Sequence, residues 1–179
     1  MMRKDKKRFK VAMIGHKRVP SREGGIEVVV EELSVRMVER GLKVDVYNRK
    51  DRFGKAYKQP REYKGIRIIQ IPTFKVSALN AFVYSVLASF RALFGGYDCI
   101  HYHAEGPCAM MWLPKLFGIH TVATIHGLDW QRAKWGGFST KYLKLGEKCA
   151  SKYADELIVL SNNNQKYFKE TYGRDTHLI

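Results

Sequence analysis

Short apolar runs alternate along this chain with longer stretches of helical periodicity, a rhythm that predicts strands and helices in turn. Val11-Ala-Met-Ile14 has the form of a short buried strand, and Gly15 to Gly25 is a polar loop containing Pro20 and two adjacent glycines. From Glu27 to Arg40, Val30, Leu33, Met37 and Val38 share one helical face, Glu27, Glu31 and Glu32 sit near the start, and Gly41 follows where a left-handed cap is favoured. Val44 to Tyr47 predicts the second strand, Asp51 to Lys64 a basic loop, and Gly65 to Ile71 a strand stopped by Pro72.

Beyond Ser77, Leu79, Phe82, Val83, Val86, Leu87, Phe90, Leu93 and Phe94 recur at three- and four-residue spacing, which predicts a helix with a broad apolar face. Asn80, Ser85, Ser89 and Arg91 interrupt the Val76 to Phe94 stretch and argue against a membrane span. Cys99 to His103 and Thr121 to Ile125 read as strands, separated by a turn at Gly106-Pro107 and an apolar helix through Met111 and Leu116. A helix from about Thr140 to Tyr153, a strand from Glu156 to Leu160 and a helix from Asn163 to Thr171 complete the series. The fold class that follows is α/β: a doubly wound, mainly parallel sheet with helices on both faces, whose ligands bind at the strands' carboxyl ends.

Composition narrows the class. At 179 residues, with 45% hydrophobic and 27% charged residues, the chain has the make-up of one folded domain, taken as 9–179 behind a basic tail at 1–8. The net charge of +15 favours phosphorylated ligands, polyanions or an anionic lipid surface. It is concentrated in the first ten residues and in Arg49, Lys50, Arg52, Lys55, Lys58, Arg61, Lys64 and Arg67, which read equally as solvated segments. Cys99, Cys108 and Cys149 form no CxxC pair, so a disulfide framework or zinc knuckle is disfavoured and a cytoplasmic location is expected.

Gly24-Gly25 stands just ahead of the first predicted helix, where unpaired amides and the helix dipole favour an anion, or alternatively forms a plain turn. The spacing is not that of a dinucleotide site, and Asn48-Arg49 ends the second strand where an acid for a ribose would stand, so a nicotinamide cofactor is disfavoured. His126-Gly127 places an imidazole at a strand's carboxyl end, as a catalytic group or as a histidine satisfied by loop backbone. His101 and His103 share a strand face, but no third ligand at a recognisable spacing makes a metal site. Trp130, Arg132, Lys134 and Trp135 suit stacking on a sugar and pairing with phosphate, or a loop that tucks its tryptophans inward.

The runs Gly15-His-Lys-Arg-Val-Pro-Ser-Arg-Glu-Gly-Gly-Ile-Glu27, Thr124-Ile-His-Gly-Leu-Asp-Trp-Gln-Arg-Ala-Lys-Trp135 and Tyr153-Ala-Asp-Glu-Leu-Ile-Val-Leu-Ser161 resemble the N-terminal half of family 4 glycosyltransferases of the GT-B fold. The likeness is to the rhamnosyltransferase-like branch that builds bacterial surface polysaccharides, and it covers the chain from Phe9 onward. It implies a Rossmann-like, acceptor-side domain of a retaining, metal-free transferase, with a donor-binding C-terminal domain beyond this chain and no activity in this half alone. It implies a nucleotide-sugar donor (UDP-, GDP- or dTDP-linked), no cofactor, a glycan or polyprenyl-diphosphate-linked acceptor, and a peripheral place on the inner membrane face. By the same resemblance His126 is the catalytic residue, Gly24 and Gly25 approach the donor diphosphate, and Arg22, His103, Asp129, Trp130, Arg132 and Trp135 shape the acceptor side. Two rivals remain: a basic nucleic-acid-binding module, for which no recognised motif speaks, and another GT-B enzyme such as a sugar-nucleotide epimerase.

Overall fold

A computed structural model describes residues 8–51, 59–73, 77–131 and 137–179. The elements run β1 (Lys10–Ile14), α1 (Gly25–Glu39), β2 (Lys43–Asp51), β3 (Glu62–Tyr63), β4 (Ile66–Thr73), α2 (Ser77–Leu93), β5 (Cys99–His103), α3 (Glu105–Cys108), α4 (Trp112–Leu116), β6 (His120–Ile125), α5 (Gly137–Tyr153), β7 (Glu156–Val159), α6 (Asn162–Tyr172) and β8 (His177–Leu178), with a 3-10 turn at Asp129–Gln131. Among the described residues the strands form one sheet in the order β3-β4-β2-β1-β5-β6-β7-β8. Every pairing is parallel except that of β3 with β4.

The expected doubly wound, mainly parallel architecture is therefore what forms, and the residues explain its two layers. Val11, Met13, Val44, Val46, Ile66 and Ile68 alternate onto one face of the sheet, where α1 covers them with Val30 and Leu33. Ala12, Ile14, Tyr47, Ile69, Ile71, Ile100, Tyr102, Ala123 and Ile125 point the other way, against Tyr84, Ala88 and Ala92 of α2, Cys108 and Met111, Ala150 of α5 and Phe168 of α6. Strands buried on both faces lack a polar side, which is why they read as continuous apolar runs.

Three boundaries differ from the sequence reading. β2 continues from Tyr47 to Asp51, because Asn48 through Asp51 pair in register with Gln70 through Thr73 of β4. β4 does not stop at Pro72, which sits opposite Lys50. β3 pairs β4 only at Ile66 and Arg67, so at Pro72 the strand's other edge needs no amide donor. The expected turn at Gly106-Pro107 is the short helix α3, where proline in the first turn removes an amide that has no intrahelical partner anyway.

Sheet order reverses between β1 and β5: from β1 the chain winds toward β2 and β4, and from β5 toward β6, β7 and β8. The loops after β1 and β5 diverge there and open a crevice at the carboxyl edge. The crevice floor is tight. Gly15, with φ +127°, lies against the carbonyl of His103 so closely that any Cβ would overlap it, and its amide donates to the Tyr84 hydroxyl at 3.0 Å.

Candidate functional site at the switch point

Four histidines converge at this crevice from three strand ends. His101 and His103 share a face of β5, as the two-residue spacing requires, and their rings stack with centroids 4.2 Å apart. His103 Nδ1 meets His126 Nε2 at 3.1 Å, which brings the histidine after β6 beside the one that ends β5. His16, just past β1, places Nε2 2.9 Å from Asn48 Oδ1. That Asn48 oxygen also accepts from the Val19 amide at 2.9 Å, so the histidine must be the donor and its other nitrogen, Nδ1, an acceptor. His16 Nδ1 and His103 Nε2 are both buried without a hydrogen-bond partner.

Burial holds these rings neutral. Desolvation pushes His16 down to about 4 and His101 to about 3, and takes His103 well below the usual histidine range. His126, only partly buried, is also lowered by desolvation, against the opposing pull of Asp129 and Glu27. The row is thus a set of uncharged imidazoles able to donate or accept single hydrogen bonds. Among the described residues no His, Cys, Asp and Glu group is arranged to hold a metal ion.

The predicted glycine pair sits at the head of α1. Gly24 is its N-cap, in extended conformation, with no side chain capping the helix, and the space beside Gly25 is open. Glu27 is buried next to that head: Oε1 accepts from the Lys17 amide at 3.0 Å, and Oε2 fills the position a Cβ on Gly24 would take. An anion approaching the helix therefore finds room above Gly25, while Glu27 stands behind Gly24.

Other predicted residues are placed differently. Arg22 is exposed and runs along α1 to Glu31 and Glu32, at 3.3 and 3.2 Å. Asp129 opens the 3-10 turn after His126, its amide donating to Glu105 Oε2 at 3.1 Å. The Trp130 indole N–H donates to Glu147 Oε2 at 2.7 Å, and its ring lies under Lys144, 4.3 Å from the ring centre. Arg132 and Trp135 lie outside the described residues.

Sequence reasoning did not single out the carboxylates beneath this turn. Glu105, first residue of α3, and Glu147, in the middle of α5, are both fully buried. Glu147 also accepts from Tyr167 and Tyr172 of α6, at 2.7 and 2.6 Å, so it joins the turn after His126 to the last helix. The two helices touch where a Cβ on Gly146 would overlap the Glu105 carbonyl. Burial, and then the Glu147 carboxylate, push Glu105 up to about 9. The signal available in the sequence was spacing: Leu143, Gly146, Glu147 and Ala150 form one helical face, an acid on an otherwise apolar stripe.

A separate depression of about 320 Å³ opens at the amino-terminal end of the strands, lined by Lys10, Asp45, Arg67, Arg91 and Tyr97 among others. Its buried Asp45 is already matched by the Tyr97 hydroxyl at 2.6 Å and by Lys10 at 3.4 Å, a balanced internal cluster away from the histidines.

Against this geometry stand the likenesses to known proteins. A family model described as Glycosyltransferase Family 4 matches residues 23–179. A D-inositol 3-phosphate glycosyltransferase from Thermobifida fusca (strain YX) is 27% identical over 170 residues, covering 84% of this chain and 38% of that protein. A sucrose-phosphate synthase from Thermosynechococcus elongatus superposes with a TM-score of 0.70 at 21% identity, over 96% of this chain and 48% of that one. HepE of Anabaena, solved with UDP and glucose, gives 0.63 at 15% identity, over 95% of this chain and 43% of that one. At these identities the structural likenesses show the α/β fold alone. The chain spans less than half the length of each of these three relatives.

Proposed function

The chain belongs to glycosyltransferase family 4, and from that premise we propose that it is the acceptor-side domain of a retaining, nucleotide-sugar-dependent transferase whose donor-binding domain lies beyond Ile179. The observation that carries this reading is the convergence of His126, His103 and His16 with the open head of α1 at the sheet's switch point. Neutral imidazoles there suit a sugar hydroxyl, and amides above Gly25 suit a diphosphate presented from a facing domain. The relative whose structure holds UDP and glucose supports a nucleotide-sugar donor. The rhamnosyltransferase-like branch and a role in surface polysaccharide synthesis rest on the resemblance of the loop after His126. Asp129 and Trp130, with Arg132 and Trp135, are proposed to shape the acceptor side, and Arg22 at the end of the β1 loop to border it.

The test is an assay of the full-length protein with UDP-, GDP- and dTDP-sugars and a polyprenyl-diphosphate-linked glycan. The expected result is release of nucleoside diphosphate that depends on the acceptor, with retained anomeric configuration in the product. Conversion of a nucleotide sugar to its epimer without acceptor would instead establish the epimerase alternative.

We also infer a peripheral membrane contact for the exposed face of α2. Among the described residues no helix is long and apolar enough to cross a membrane. Yet Leu87, Phe90 and Phe94 of the α2 stripe are exposed, Phe94 to 88%, with Arg91 beside them. An exposed apolar stripe with a cation beside it is what an anionic surface binds. In liposome flotation at low salt the protein is expected to float with anionic vesicles and not with neutral ones; equal recovery with both removes the inference.

A further inference from the structure

Among the described residues, Arg49 is a largely buried cation at the crevice with no carboxylate paired to it. It lies near the carboxyl end of β2, where its amide donates to the Lys17 carbonyl at 2.7 Å and so faces the β1 loop. Its guanidinium lies over the Tyr84 ring, 4.7 Å from the centre, and its Nε is buried with no hydrogen-bond partner. Among the described residues no carboxylate stands within ion-pair distance of it. Glu27, the acid that acts on its charge, is turned to the Lys17 amide. The neighbouring Asn48 is fully used, by His16, by both backbone groups of Val19 and by Gln59. Several basic residues elsewhere do have carboxylate partners: Lys10 and Arg67 pair with Asp45, Arg22 with Glu31 and Glu32, and Arg36 with Glu32.

A largely buried guanidinium with no carboxylate paired to it among the described residues is costly to the free protein, because burial opposes its charge and Glu27 offsets that only at a distance. Its planar fork is the group best suited to grip a carboxylate or phosphate, and its seat over the Tyr84 ring restrains where that fork can lie. β1 and β5 stand between β2 and β6, so the strands bearing Arg49 and leading to His126 are three spacings apart, roughly 14 Å. His16 lies between them and close enough to Arg49 for the guanidinium to oppose protonation of its ring.

We propose that Arg49 anchors an oxyanion carried by the acceptor: an acceptor sugar bearing a phosphomonoester or a carboxylate seats that group on the guanidinium while its free hydroxyl reaches toward His126. This rests on the transferase reading above and adds the chemical class of the acceptor to it. A neutral acceptor leaves Arg49 unmatched and gains nothing from it.

The experiment follows the Nε–H resonance of Arg49 in the 179-residue chain by ¹⁵N NMR while glucose 6-phosphate, glucuronate, glucose and UDP are titrated separately. Saturable shifts with one or both sugar anions, and none with glucose, are expected. Because Arg49→Gln has no Nε–H, affinities for the variants are read from amide shifts of the β1 loop. There, Arg49→Gln weakens the sugar anion by about tenfold or more. Arg49→Lys, which keeps charge but not the fork, falls between, and Lys166→Gln, at an exposed position of α6 on the far wing of the sheet, matches wild type. Circular dichroism on each variant confirms folding. A response to UDP with none to the sugar anions assigns the anion to the donor and overturns the proposal, as does an equal response in Arg49→Gln. In the full-length enzyme, normal transfer by Arg49→Gln sinks this proposal alone, whereas absence of any transfer sinks the functional reading beneath it.

Discussion

Replacing His126 by alanine in the full-length enzyme is expected to slow sugar transfer by about 10²- to 10⁴-fold, the range for loss of a positioned hydrogen-bonding or proton-transferring group. The expectation follows from placement. His126 stands at the carboxyl end of β6, partly exposed, with Nε2 engaged by His103. Nδ1 has no protein partner among the described residues, so whichever nitrogen carries the proton, Nδ1 offers the complementary role to a sugar hydroxyl. Desolvation keeps the ring neutral, so imidazole charging should not depress the wild-type rate until pH falls below the ordinary histidine value of about 6.5. Because the side chain lies in a loop outside the two cores, the unfolding free energy should change by no more than about 1 kcal/mol. Wild-type turnover in the variant, measured at saturating donor, removes His126 from the site.

The second large effect is on stability. Glu147→Ala is expected to cost about 3–5 kcal/mol in urea unfolding of this chain, because it strands three partly buried donors, from Trp130, Tyr167 and Tyr172, at once. The same carboxylate helps hold Glu105 protonated, and this predicts a pH signature. Glu105 titrates near 9 in the fold against an ordinary 4.5, so its stabilising share is fully present below about 4.5 and is lost as pH rises through about 9. Glu147→Gln removes the neighbouring charge and should flatten that decline between pH 5 and 9. A loss under about 1 kcal/mol for the alanine variant, or an unaltered pH slope for the glutamine variant, would show that the buried pair does not hold the turn.

How much of this was legible beforehand depends on the range of the interaction. The strands and helices were, because strands covered on both faces read as short apolar runs and helices packed on one side repeat at 3.6 residues. So was the shared face of His101 and His103. The extension of β2 through Asn48-Arg49-Lys50-Asp51 was hidden, since polar residues that read as loop are held by ladder bonds to β4, a partner about twenty residues away. Tertiary pairing there overrides local preference. The same reason hid Arg49, Glu105 and Glu147. An unmatched cation, or two acids facing each other across α3 and α5, is a fact about neighbours distant in sequence. Trp130 shows the converse: its position suggested an aromatic platform, while its indole N–H is committed to Glu147.

The contact between Gly15 and the His103 carbonyl also bears on how the protein can move. Because β1 and β5 are fused there with no space for even one methyl group, the two wings of the sheet cannot swing about their seam like the covers of a book. Adaptation to different ligands must then come from the rim of the crevice, with its floor serving as a fixed anvil.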